Sequence, residues 1–225
     1  MKILDFFLVF LLTLVGSASA TWKGQVVNKC SFPIWAKTTK QFDNNHDGKL
    51  DSPMVKVNAN GGTYNAAYDP IYGDSEAGEA HGITVKLEKE ADATFTTGHV
   101  YQIEWTPYWY QDPNQPVVSG DISIVDGNPF TSSPRKLEVL GTDGKLVNIK
   151  KCGPRTQDEP RANSVFCAAN NKSCLYEWQK NHALQAYLDG IKSHECPPMN
   201  SDPKCSHPIE CNVTMSGTVR FTLCA

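Results

Sequence analysis

Asp121-Ile122-Ser123-Ile124-Val125-Asp126-Gly127-Asn128-Pro129-Phe130 is the stretch on which the reading of the fold turns. Ile122 and Ile124 share one parity, Asp121 and Ser123 the other, which is the pattern of a strand with one face on a core and one toward water. Asp126-Gly127-Asn128-Pro129 then ends the strand with turn chemistry, because Gly tolerates positive φ and Pro cannot donate to a ladder. Upstream, Val100-Tyr101-Gln102-Ile103-Glu104-Trp105 alternates in the same way, with Tyr101, Ile103 and Trp105 opposite Glu104. If the two strands share a sheet, Glu104 and Asp121 lie on one polar face with Asp126 at its rim.

Working outward, residues 1–20 read as a secretion signal. Lys2 gives a positive end, Phe6 to Val15 a short apolar run, and Ala18-Ser19-Ala20 a small-residue cleavage site. The mature chain then begins near Thr21 and has roughly 205 residues, enough for one large β domain or one domain with an insert. No stretch reads as a membrane span. The expectation is a monomer that is secreted, extracellular or associated with a cell wall. The eight cysteines form an even set, read in an oxidising compartment as a disulfide framework. Asn171-Lys172-Ser173 and Asn212-Val213-Thr214 are glycosylation sequons, so a glycoprotein is expected. A net charge of −3 without a basic cluster argues against a nucleic-acid partner.

From Trp22 to Ile149 short alternating segments are separated by turns. Ile83 to Glu88 is one, and Thr142-Asp143-Gly144-Lys145 predicts a hairpin joining Lys136–Leu140 to Leu146–Ile149. After that the composition shifts. Cys152, Cys167, Cys174, Cys196, Cys205 and Cys211 fall within about sixty residues, too few for a core of their own without staples. Leu175, Trp178, Leu184, Tyr187, Leu188 and Ile191 recur at helical spacing and predict one helix in that insertion, closed near Gly190. Thr218 to Leu223 returns to strand, with Val219, Phe221 and Leu223 inward. The expected layout is a mainly β antiparallel sandwich over 21–150 and 212–225, with a cysteine-rich helical insertion over 151–211.

Cys30 follows the first strand and Cys224 ends the last. Joining them would bring the terminal strands together and, in the chain-entropy model, stabilise the fold by about 4–5 kcal/mol.

Val26-Val27-Asn28-Lys29-Cys30-Ser31-Phe32-Pro33-Ile34-Trp35-Ala36 resembles the opening of the thaumatin-like proteins. Asp121 to Gly127 is similar to that family's central acidic strand, and Val219–Cys224 to its last. The run Asp126-Gly127-Asn128-Pro129-Phe130 looks closest to the small secreted fungal branch, the BYS1-like or antigenic thaumatin-like proteins. The resemblance implies a sandwich of about ten strands and a cleft lined by acids, associated in plant members with β-1,3-glucan binding, weak glucanase activity or antifungal action. By motif position Glu104, Asp121 and Asp126 correspond to three of those acids.

Two carboxylates, one protonated and one ionised, can hydrolyse a glycoside, and like-charge repulsion within a cluster supplies the raised pKa. The same face also reads as the solvated side of an antiparallel sheet. Trp105-Thr106-Pro107-Tyr108-Trp109-Tyr110 reads as a Pro-bearing loop whose rings, Tyr108 and Trp109 foremost, could bury sugar C–H faces beside Glu104, or else plug one end of the sandwich. Asp43, Asn45, Asp47 and Asp51 occupy the oxygen positions of a calcium loop, with Gly48 at its sharp turn. Met54 stands where a bidentate Glu belongs and no helices flank the loop, so a hydrated turn is the simpler reading and no cofactor is expected beyond a weak calcium ion. Three functions follow: a module binding cell-wall β-glucan or a related polysaccharide, an interaction protein of effector, antigen or elicitor type with an extracellular protein partner, and a weak endo-β-1,3-glucanase.

Overall fold

The structure, a computed structural model, describes residues 21–40, 48–75, 77–91, 95, 99–109, 116–123, 126–148, 163–170, 183–184, 205–206, 209–212 and 216–225. Among them every regular element is a strand: β1 (Thr21–Asn28), β2 (Ile34–Lys40), β3 (Val55–Val57), β4 (Gly62–Asn65), β5 (Gly73–Asp74), β6 (Ile83–Glu88) and β7 (Tyr101–Trp109). The second half adds β8 (Val117–Ser123), β9 (Arg135–Leu140), β10 (Ser164–Cys167), β11 (Ala183–Leu184), β12 (Cys205–Ser206), β13 (Ile209–Asn212) and β14 (Ser216–Leu223). One sheet runs β10-β9-β14-β1-β4; the other runs β13-β8-β7-β6-β2-β3, with β5 beside β7. The mainly β sandwich expected from the alternation is what forms, and both expected central strands sit next to each other in the second sheet.

The helix is not seen. Ala183–Leu184, in the middle of the segment with helical spacing, is extended and pairs with Cys205–Ser206; the rest of 175–191 lies outside the described residues. At these two residues the pairing across the ladder overrides the local period. β10 and β13, which flank that segment, add strands to the two large sheets, against β9 and β8 respectively. The hairpin after β9 turns where expected: Gly144 has φ 72°, and the return arm reaches β9 through the Leu140–Leu146 bridge.

Period-2 alternation buries one side of each sheet in a shared core. Val26, Val219, Phe221, Leu137 and Val139 come from the first sheet, and Val85, Leu87, Ile103, Trp105, Val118 and Ile122 from the second. Trp105 crosses from the second sheet to β1 of the first. A Cβ on Gly24 would overlap the indole ring, so only glycine leaves room there. Trp105 Nε1–H donates to the carbonyl of Trp22 at 3.3 Å, which satisfies the one polar atom the ring carries inward.

The chain ends are joined as expected. β1 and β14 are parallel neighbours in register from Thr21–Ser216 to Asn28–Leu223, and Cys30 is bonded to Cys224 with Cα atoms 5.1 Å apart. Asn28, fully buried beside that bond, donates from Nδ2 to the carbonyls of Phe32, Val57 and Asn58 and accepts the Cys30 N–H. One amide thus ties the end of β1 to the turn after it and to the β3–β4 connection.

Candidate functional site

The outer face of the seven-stranded sheet carries the polar halves of β2, β6, β7 and β8. Pairing fixes which residues share a row: Thr39 lies opposite Thr84, Thr84 opposite Glu104, and Glu104 opposite Asp121. The adjacent row holds Lys37, Lys86 and Gln102. In an antiparallel ladder, directly opposed residues have Cβ atoms about 4.5–5.5 Å apart, so the register brings Glu104 and Asp121 together as the alternation required.

Asp126 joins them from the turn after β8. Val100 N–H donates to the Asp126 carbonyl at 3.1 Å, and His99 bridges to Gly127, whose φ is 132°. Below the turn, buried Arg135 donates from Nη1 to the Phe130 carbonyl at 3.0 Å. Thus held, the Asp126 carboxylate lies 3.7 Å from Lys86 Nζ.

Glu104 is the chemically distinctive member. Burial pushes its carboxyl above the ordinary glutamate value, and the negative charge of Asp126 adds to the rise. A hydrogen bond from the Thr84 hydroxyl at 3.2 Å and the charge of Lys86 pull the other way without cancelling it. The face therefore offers a carboxyl that keeps its proton more readily than usual, next to a second acid and beside a lysine.

Lysines are what the reading of this face from acids alone missed. Lys37 makes a 2.7 Å ion pair with Asp51, and Thr39 donates to the other Asp51 oxygen at 2.8 Å. Burial would raise the Asp51 carboxyl, but these partners, with the charge of Lys86, hold it below the ordinary range. Lys37 Nζ also sits 4.7 Å from the ring centre of Phe95. The signal was present in sequence as Lys37 and Thr39 at one parity and Thr84 and Lys86 at another, but nothing local says that those strands adjoin the acids.

Asp51 thus has each carboxylate oxygen accepting one hydrogen bond, from Lys37 and from Thr39. The other three loop positions, Asp43, Asn45 and Asp47, lie outside the described residues. Among the described residues no three acidic, histidine or cysteine side chains group as a metal site.

Comparison with protein-family models finds no match, and none is found among curated proteins. Among solved structures, the chain is similar to the protein elicitor MoHrip2 from Magnaporthe oryzae at 18% identity and a TM-score of 0.48, over 91% of this chain and 100% of that one.

The aromatic run requires a correction. Trp105 to Trp109 is not a loop but the second half of β7, paired through Tyr108–Val117 to β8 and through Gly73–Tyr108 and Asp74–Trp109 to β5. Tyr108 shares the parity of Glu104 yet is only 6% exposed, so its ring is not a sugar platform. Pro107 falls between Trp105, where the β6 ladder ends, and Tyr108, where β5 takes over, a break in pairing on that side of the strand. Trp109 is partly exposed and leans on Tyr72, ring centres 4.5 Å apart. Tyr110 and the Asn171 sequon lie outside the described residues, while Asn212 ends β13 opposite Val117. Among the described residues no helix is long and apolar enough to cross a membrane.

Proposed function

We propose that this chain is a secreted thaumatin-like protein that binds a neutral cell-wall polysaccharide of the β-glucan class across the outer face of its seven-stranded sheet, without turning it over. The observation that carries this reading is the convergence on one face of Glu104, opposed in register to Asp121, with Asp126 close enough for its charge to act on Glu104. Sugar hydroxyls both donate and accept. The Asp126 carboxylate and the Thr39 and Thr84 hydroxyl oxygens, whose own protons go to Asp51 and Glu104, accept from sugar hydroxyls, while Lys86 donates to sugar oxygens and Asp121 shares the row of Glu104. The signal-like residues 1–20 and the tie between the chain ends support the secreted and thaumatin-like parts of the reading.

A second reading has its own support. A carboxyl held toward its protonated form opposite another acid, at the close spacing of a cross-strand pair, is the arrangement a retaining glycosidase needs. Binding is preferred because Asp126, the acid whose charge acts on Glu104, is itself engaged by Lys86.

The test is a pull-down on insoluble β-1,3-glucan with calorimetry on laminarin, alongside a reducing-end assay. Saturable binding that falls at least tenfold in Glu104→Gln and Asp126→Asn, without release of reducing ends, supports the module. Release that vanishes in Glu104→Gln moves the assignment to the hydrolase. A folded protein that neither binds nor cleaves abandons the carbohydrate reading in favour of an extracellular protein partner.

A further inference from the structure

The opposite sheet carries a second feature that the acidic face does not use. On its outer side β9, β14 and β1 floor a groove of about 580 Å³, bounded by Phe166 of β10 and by Lys29 just past β1. Its polar floor is organised by one carboxylate. Glu138 lies opposite Arg220 in the ladder and accepts from Arg220 Nε and Nη2 at 3.2 and 3.0 Å through one oxygen. Its other oxygen lies 2.8 Å from Lys136 Nζ. Glu138 is nearly buried, whereas Lys136 and Arg220 each keep about a third of the side chain exposed, at 35% and 33%. The carboxylate therefore fixes two cations whose remaining N–H groups line the groove.

Lys29 adds a third positive charge to Lys136 and Arg220 against the single side-chain carboxylate of Glu138, so the groove is cationic on a protein of net charge −3. Beside the cations stands Phe166, 55% exposed, at the position that pairs with Lys136. Val27 and Thr222 form the less polar floor between them. Pre-fixed cations next to an exposed flat ring suit a ligand with carboxylates on one edge and an apolar C–H face on the other. The volume falls in the range of small-molecule sites, about 300–1,000 Å³.

We propose that this groove binds an acidic oligosaccharide, its uronate carboxylates meeting Lys29, Lys136 and Arg220 while one pyranose ring stacks on Phe166. The site is separate from the acidic face and selects the opposite kind of sugar: charged here, neutral there.

The probe is tri-galacturonate titrated into the full chain, followed by calorimetry and by amide shifts. Saturable binding is expected, with shifts in β9, β10 and β14, and at least tenfold weaker affinity for neutral maltotriose. Affinity drops at least tenfold in Lys29→Glu and in Phe166→Ser, both exposed positions whose melting should match the parent, and it weakens in high salt. Saturating laminarin leaves the titration unchanged. The proposal is overturned if no saturable binding is found, if maltotriose binds equally well, or if inorganic phosphate at equal concentration displaces the trimer. Shifts confined to the other sheet, or full affinity in both variants, also overturn it.

Discussion

Glu104 of β7 and Asp121 of β8 face each other across an antiparallel ladder, and burial together with the charge of Asp126 keeps the Glu104 carboxyl protonated to higher pH than an ordinary glutamate. Its folded value lies above its unfolded one, so the folded state binds more protons in the window between them. Stability contributed by this group is then complete below the ordinary value of 4.5 and declines as pH rises through the folded value. Glu104→Gln retains an oxygen for the Thr84 hydroxyl and removes the titration. Thermal melts at pH 7 should show the variant at least as stable as the parent, with the gap closing in acid. A variant less stable at pH 7 would mean that the ionised form is the one the fold favours.

Glu138 titrates with the opposite sign. Burial opposes its ionisation, yet Lys136 and Arg220 hold its carboxyl below the ordinary glutamate range. Its contribution is present above the unfolded value and is lost as pH falls through the folded one. Glu138→Gln should cost about 2 kcal/mol at pH 7, in the range of hydrogen bonds to charged groups, and should flatten the acid limb of the stability profile. Urea melts at pH 7 and at acid pH measure both effects.

The Cys30–Cys224 bond spans 194 positions of sequence. In the chain-entropy account, closing so long a loop stabilises the folded state by about 5 kcal/mol. Replacing both residues by Ala should lower unfolding free energy by up to that amount, read from denaturant melts under non-reducing conditions. Peptide mapping without reductant should recover the two cysteines in one crosslinked fragment.

Gly24 and Trp105 make a sharp test of how the two sheets meet. An alanine at Gly24 would collide with the indole, and overpacking of this kind costs about 1–3 kcal/mol. Gly24→Ala should lower the melting temperature, and Trp105 fluorescence should shift as the ring is displaced.

Tyr108 and Trp109 should behave differently despite being adjacent. Removing the buried Tyr108 ring should destabilise by about 3–5 kcal/mol, as for other large-to-Ala core changes. Trp109→Ala, at a partly exposed position, should stay folded, and its glucan pull-down reports on binding. A stable Tyr108→Ala protein would place that ring outside the core.

Local sequence by itself determined the strand character of this chain, the turn at Asp126-Gly127-Asn128-Pro129, and the parity that sets Glu104 and Asp121 apart from Ile103 and Ile122. All of these follow from backbone preferences and a two-residue repeat, which act over a few positions. It also made Cys30 and Cys224 plausible partners, since each closes a terminal strand. Tertiary structure decided which strands adjoin. Strand order put Lys37, Lys86 and Asp51 among the acids and made the face mixed in charge; it also buried Tyr108 under its neighbours and gathered Lys29, Lys136, Glu138, Phe166 and Arg220 into a groove on the other sheet. Those outcomes depend on residues tens to nearly two hundred positions apart meeting across a ladder. No local pattern encodes such a meeting, because the free energy that selects it comes from burying both sheets at once.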